Sequence, residues 1–190
     1  MIKEATILRI LKQTGALLDG HFELRSKLHS NRYFQCAMVL MYPKKAARLC
    51  KELAVLIKNA GIEADTVIAP ALGGILVGYE LARAMGLKSI FVEKENNALA
   101  LRRFTIKDGE RFIVAEDVVT RGGRVKETID IVRQNGGLVA AVACFIDRSG
   151  GDVNFGSPFF SLLKIAPVTY NPSDCPLCKG GVPLVHPGSK

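Results

Sequence analysis

The sequence predicts an α/β protein in which a central parallel sheet is covered on both faces by helices, with an N-terminal hood segment standing outside that core. Three observations lead there. From residue 43 onward, short apolar runs alternate with stretches of helical period. The runs are apolar throughout, as strands buried on both faces are. No repeat, low-complexity tract or interdomain linker interrupts the alternation. One domain is expected, with a hood over residues 1–42, an α/β core over 43–165 and a tail over 166–190.

In chain order, residues 2–13 form a helix with Ile7, Ile10 and Leu11 on its apolar face. Residues 15–20 read as a turn between glycines, and 31–37 as extended. Tyr42-Pro43 opens a second helix, since proline suits a first turn; Ala46, Leu49, Leu53 and Leu56 recur at helical spacing up to Gly61. A strand over 66–69 and a helix over 74–85 ending at Gly86 come next, then a strand over 88–92. Residues 95–108 show no clean period and read as irregular and mobile. A strand over 112–115 follows. Its helix starts near Arg124, with Val125, Ile129 and Val132 on one face, and stops at Gly136-Gly137 before a strand over 139–146.

The segment Arg111-Phe-Ile-Val-Ala-Glu116-Asp117-Val-Val-Thr120-Arg-Gly-Gly-Arg124 carries the most chemistry. Gly122 and Gly123 tolerate positive φ and let the backbone wrap tightly. A glycine turn feeding a helix N-terminus offers free N–H groups to an anion, and phosphate is the natural candidate. Glu116 and Asp117 would repel that phosphate. They suit its neighbours: ribose hydroxyls, a magnesium ion, or positive charge developing during reaction. Sugar hydroxyls beside a phosphate point to a ribose 5-phosphate. Neither G-x-x-x-x-G-K-[ST] nor G-x-G-x-x-G is present.

Other loops fall at the carboxyl ends of strands on the same rim, where open α/β sheets bind ligands. Gly73 and Gly74 suit either a second phosphate group or tight strand–helix packing. Lys94, in Glu93-Lys94-Glu95, could meet pyrophosphate, as could the adjacent Arg102 and Arg103 in the irregular stretch. Arg148, in Asp147-Arg148-Ser149-Gly150-Gly151, can form a bidentate pair with a substrate carboxylate.

The composition fits a small anionic substrate. Lys and Arg number 26 against 18 Asp and Glu, a net charge of +8, which steers anions toward the surface. Nucleic acid is the less favoured partner, because there is no Trp, only 7% aromatic residues, and no run of Lys or Arg beyond a pair. No apolar run is long enough to span a bilayer, and the first residues lack a signal-peptide pattern. Five cysteines without a regular framework suggest a reducing, cytoplasmic setting. Cys36, Cys50 and Cys144 read as small core residues. Cys175 and Cys178 form a C-x-x-C, but a four-ligand zinc site usually shows two such pairs. His21 and His29 read as structural or substrate-adjacent residues, so no metal is expected there.

The 111–124 segment resembles the 5-phosphoribosyl-1-pyrophosphate (PRPP) signature of the type I phosphoribosyltransferases, in which two acidic residues follow a hydrophobic strand and a Thr-x-Gly-Gly turn cradles the 5'-phosphate. Over nearly the whole chain the resemblance is to the orotate-using branch of that family. Residues 14–33 are similar to its hood, the Asp-Arg-Ser-Gly-Gly stretch to its orotate site, and residues 174–189 to the tail of one bacterial and archaeal group. The resemblance implies PRPP contacts from Gly73, Gly74, Lys94, Glu116, Asp117, Val118, Val119, Thr120, Arg121, Gly122, Gly123 and Arg124. It implies orotate contacts from Arg25, Thr120 and Arg148, and catalytic roles for Glu116, Asp117, Arg102 and Arg103. Magnesium is the implied cofactor, held mainly by PRPP and water with Asp117 as a candidate ligand, and a homodimer is the implied assembly. The sequence departs from the enterobacterial pattern: Gly73 replaces a loop Lys, Glu93-Lys94 replaces Arg-Lys, and the mobile loop lacks that branch's Lys and His.

Overall fold

The computed structural model describes residues 2–24, 26–96, 98–165 and 168–187. The elements run α1 (Glu4–Gln13), β1 (Leu17–Glu23), β2 (His29–Phe34), α2 (Ala37–Leu40), α3 (Pro43–Asn59), β3 (Thr66–Pro70), α4 (Gly73–Met85), β4 (Lys88–Glu95) and β5 (Ala98–Ala100). They continue with β6 (Arg111–Val119), α5 (Gly123–Gln134), β7 (Leu138–Asp147), β8 (Phe159–Lys164) and β9 (Thr169–Tyr170), then a 3-10 turn (Pro172–Asp174) and α6 (Pro176–Lys179). None of the described helices is long and apolar enough to cross a membrane.

A six-stranded sheet in the order β5-β4-β3-β6-β7-β8 forms the core, and all its pairings are parallel except the antiparallel β5 edge. Side chains alternate between two apolar layers, as the two-residue period of a strand requires. Val67, Ala69, Ile113, Ala115, Ala141 and Ala143 face the layer holding α1, α3 and α4. Ile68, Phe112, Val114, Val142 and Cys144 face the layer under α5. Cys36, Cys50 and Cys144 are buried core thiols, as their spacing among apolar residues suggested. Complete burial of Phe112, Ile113, Val114 and Ala115 holds β6 rigidly at the centre of the sheet.

Several boundaries differ from the sequence reading. The turn expected over 15–20 is confined to its first residues, where Gly15 has φ 72°: Leu17–Glu23 is a strand, with its glycine absorbed where the register shifts between Asp19 and Phe22. The irregular stretch contains β5, which pairs with the extended end of β4. Farther on, Phe104 packs edge-on against Phe91, and Ile106 is buried. Strand β6 continues through the acidic pair to Val119, because β7 supplies partners for Glu116, Val118 and Val119. Strands β8 and β9 lie in sequence without a clear alternating signature and owe their conformation to pairing with β7 and β2.

Strands β1, β2 and β9 make a second, three-stranded sheet. The end of the chain is also stitched to the hood by a bridge between Phe22 and Val185, with Val185 N–H donating to the His21 carbonyl at 2.8 Å and Glu23 N–H to the Val185 carbonyl at 3.0 Å. The partner ligands that the C-x-x-C lacked in sequence are supplied here in space. His21 and His29 lie beside Cys175 and Cys178.

Candidate active site

The acidic pair is placed by the most constrained strand in the molecule. β6 has neighbours on both sides, so Glu116 and Asp117 are delivered to a fixed point on the rim. Locally, Asp117 N–H donates to Glu116 Oε1 at 3.0 Å, and Val118 N–H donates to Asp117 Oδ1 at 2.8 Å. Burial pushes both carboxyls up from their ordinary values, and for Glu116 repulsion from Asp117 pushes further, opposed by the Asp117 N–H bond and less by Arg124. The pair is short of compensating positive charge. A cation, whether a metal or a reacting sugar, would favour the ionised form of both.

Beyond Val119 the chain turns through exposed Thr120 and Arg121 into α5. Gly122 has φ 72°, and a Cβ there would lie 2.9 Å from the Phe155 ring, so glycine is needed both for its conformation and for its closeness. Gly123 needs neither: it lacks positive φ and nothing crowds it, which corrects the sequence reading of the turn. A cleft of about 470 Å³ opens over this turn, lined by Glu116, Val118, Val119, Thr120, Gly122, Gly123, Arg124, Val125 and Glu127. The N-terminal residues of α5 line this cleft, and the unpaired amides of a helix start suit an anion. Glu127 stiffens the rim, accepting a hydrogen bond from Leu99 N–H and pairing with Arg124 at 3.2 Å.

The loop after β3 abuts the acidic pair. A Cβ on Gly73 would sit 2.8 Å from Asp117 Oδ2, and one on Gly74 3.0 Å from Glu116 Oε1. Both glycines therefore mark close approach of backbone to carboxylate. The two loops that the sequence put on one rim are in contact.

Arg148 stands just past β7, its N–H donating to the Val119 carbonyl at 2.8 Å. Its guanidinium lies 5.4 Å from the Phe34 ring centroid, and the Nε is buried without a hydrogen-bond partner among the described residues. Desolvation pulls its pKa down from the usual guanidinium value. Asp147, its neighbour in sequence, is engaged elsewhere, accepting from Ser149 N–H at 2.9 Å and Ser149 Oγ at 2.6 Å.

The other cations lie farther out. Lys94 is exposed on β4. Arg103 is held by Glu93 in a forked pair at 2.5 and 3.3 Å, and Arg102 lies 3.5 Å from Glu95. Arg25 lies outside the described residues. The sequence reading expected a hood over the site but missed two of its residues: Phe34 backs Arg148, and Cys36 Sγ donates to the Asp117 carbonyl at 3.8 Å. Only the folded chain brings residues 34 and 36 to this rim, so no local signal could have found them.

A phosphoribosyl transferase domain model matches residues 41–177. An orotate phosphoribosyltransferase from Carboxydothermus hydrogenoformans is 51% identical over 96% of this chain and 96% of its own length. Among solved structures, orotate phosphoribosyltransferase from Aeropyrum pernix aligns with a TM-score of 0.66 at 25% identity, covering 84% of this chain and 93% of that one. Adenine phosphoribosyltransferase from Thermoanaerobacter pseudethanolicus shares the fold, with a TM-score of 0.62 at 21% identity over 70% of this chain and 88% of that one. On a domain match across most of its length and half-identity end to end, this chain belongs to the phosphoribosyltransferase family, on its orotate phosphoribosyltransferase branch.

Proposed function

We infer that the protein transfers the 5-phosphoribosyl group of PRPP to N1 of orotate, giving orotidine 5'-monophosphate and pyrophosphate as a step in making pyrimidine nucleotides. The bond from C1' to the pyrophosphate oxygen breaks, the bond to N1 forms, and the N1 proton is released. The observation that carries the choice of base is Arg148: a desolvated guanidinium without an acidic partner among the described residues, beside the ribose site, is matched to a base bearing a carboxylate.

Each remaining part of the rim has a task in this reaction. The amides of residues 120–124 fix the 5'-phosphate, with Val118 and Val119 shaping the floor of the cleft. Glu116 and Asp117 stabilise the positive charge that builds on the ribose as the C1'–O bond lengthens. Gly73 and Gly74 let backbone approach the pyrophosphate beside them. The two buried carboxyls, short of positive charge, fit a magnesium ion; when bound, mainly to PRPP and water with Asp117 as the protein candidate, it would neutralise charge on the leaving group. Thr120 and Arg25 complete the orotate contacts.

Lys94, Arg102 and Arg103 serve the departing pyrophosphate. Glu93 and Glu95 hold the two arginines in the ligand-free form, and pyrophosphate, with more charge, draws them away. Replacing both arginines with Ala is expected to lower kcat by about 10²-fold, the effect of losing a charge-stabilising donor, while PRPP still binds. Near-normal turnover would place the leaving-group cation elsewhere.

The protein works as a homodimer in the reducing cytoplasm. Support for the dimer comes from an exposed stripe of Leu72, Leu76 and Tyr79 at helical spacing, with Met41 and Tyr42 also exposed. Support for the compartment comes from five unpaired cysteines. The deciding assay measures orotidine 5'-monophosphate formation from PRPP, orotate and magnesium, with adenine, hypoxanthine and uracil as competing bases. Turnover of one of those and not of orotate would reject this reading.

A further inference from the structure

Beyond its backbone hydrogen bonds to the hood, the segment after β9 has little apolar burial to hold it. Among the described residues from 171 to 187, one side chain alone is fully buried, Cys175. Hydrophobic burial cannot fix a segment of that composition, and small structures in this position usually rely on a cross-link. What surrounds Cys175 is a set of metal ligands.

His21 Nε2 lies 2.8 Å from His29 Nδ1, 3.5 Å from Cys175 Sγ and 3.7 Å from Cys178 Sγ, and Cys178 Sγ lies 3.3 Å from His29 Nδ1. All four donor atoms fall within 4.8 Å of one another. With zinc–nitrogen bonds of about 2.0–2.1 Å and zinc–sulfur bonds of about 2.3 Å, a tetrahedral ion separates its ligands by about 3.3–3.8 Å. The cluster is therefore near the required size, and binding needs the two imidazoles to open and the widest pair of donors to close by about an ångström. His21 Nδ1 lies 2.8 Å from the Val182 carbonyl. That bond puts the ring proton on Nδ1 and leaves the Nε2 lone pair directed into the cluster, an arrangement typical of ligating histidines.

We propose that His21, His29, Cys175 and Cys178 bind one zinc ion that clamps the end of the chain to the hood. Two imidazoles and two thiolates close all four positions, which marks a structural site with no opening for catalysis. Two thiolates also cancel the charge of the ion, so the complex is neutral and suits burial; His21, His29 and Cys175 are 2%, 4% and 0% exposed. Binding releases the two thiol protons to solvent and involves no change of oxidation state. The two histidines bracket residues 22–28 in sequence, so the same ion ties the end of β1 to the start of β2.

The test uses the full-length protein, expressed with zinc supplied and purified under reducing conditions without chelator. Elemental analysis is expected to find about one zinc per chain, and Cys178→Ser and His29→Asn to retain less than about a tenth of it, as loss of a ligand costs at least as much as loss of a supporting contact. Cys178 is exposed and outside the α/β core, so its replacement is expected to leave that core folded. Cobalt(II) in place of zinc is expected to give the intense visible bands of a tetrahedral sulfur–nitrogen site. Chelation is expected to expose residues after 170 to protease while the α/β core resists cleavage. Zinc-free protein, zinc content unaffected by both substitutions, or a Cys175–Cys178 disulfide in the reduced preparation would each overturn the proposal.

Discussion

Asp117→Asn is expected to lower kcat by about 10²–10³-fold, in line with removal of one preorganised electrostatic group, while PRPP affinity changes far less. The reason lies in when the charge is needed. Asparagine keeps the oxygen that accepts from Val118 N–H at 2.8 Å, so the strand end is undisturbed. It loses the negative charge, whose value is greatest as the ribose becomes cationic. The same substitution is expected to raise Tm. Burial raises the Asp117 carboxyl above its unfolded value, so between those two values the folded state holds a proton that the unfolded state has lost. Wild-type stability therefore falls as pH rises through that window, and the Tm advantage of Asp117→Asn over wild type grows with it. A gain of about 1 kcal/mol would move Tm by roughly 2–4 °C for a domain of this size. Equal losses in PRPP binding and rate would make Asp117 a ground-state ribose ligand instead.

Arg148→Ala is expected to raise KM for orotate by about 30-fold or more, since removing one partner of a desolvated charge pair costs roughly 2–5 kcal/mol. KM for PRPP should stay near its original value. Arg148→Lys should recover little, because a point charge cannot supply the flat, forked donor set that meets a carboxylate. The Phe34 ring under the guanidinium adds to that preference for Arg. Steady-state kinetics with each substrate varied in turn decide the matter. An unchanged orotate KM would move the base site away from the end of β7.

Most of the α/β core was legible because its signals are local. The apolar run from Phe112 to Ala115, Gly122 at the start of α5 and the helical spacing of Leu49 and Leu53 each favour their own conformation. The acidic pair was legible because it directly follows such a run. The hood was not. Gly15 and Gly20 read as breakers, although β1 forms through Gly20 by pairing with β2, and that pairing is a property of two segments. Equally, Cys175 and Cys178 looked like half a site because their partners lie more than 140 residues earlier. Arg102 and Arg103 showed their charge in sequence, but the glutamates that hold them appear only when β4 and the following stretch fold together.

The three-stranded sheet takes two strands from the start of the chain and one from its end. During synthesis, then, residues 17–34 are made early and wait for Tyr170 before their sheet can be completed. The α/β core can assemble in the interval, because domains acquire structure as their segments emerge. The hood sheet closes only after Tyr170 has been made, later than every strand of the six-stranded sheet. A chain cut between β8 and β9 would thus keep every strand of the core sheet and leave β2, made more than 130 residues earlier, without its partner.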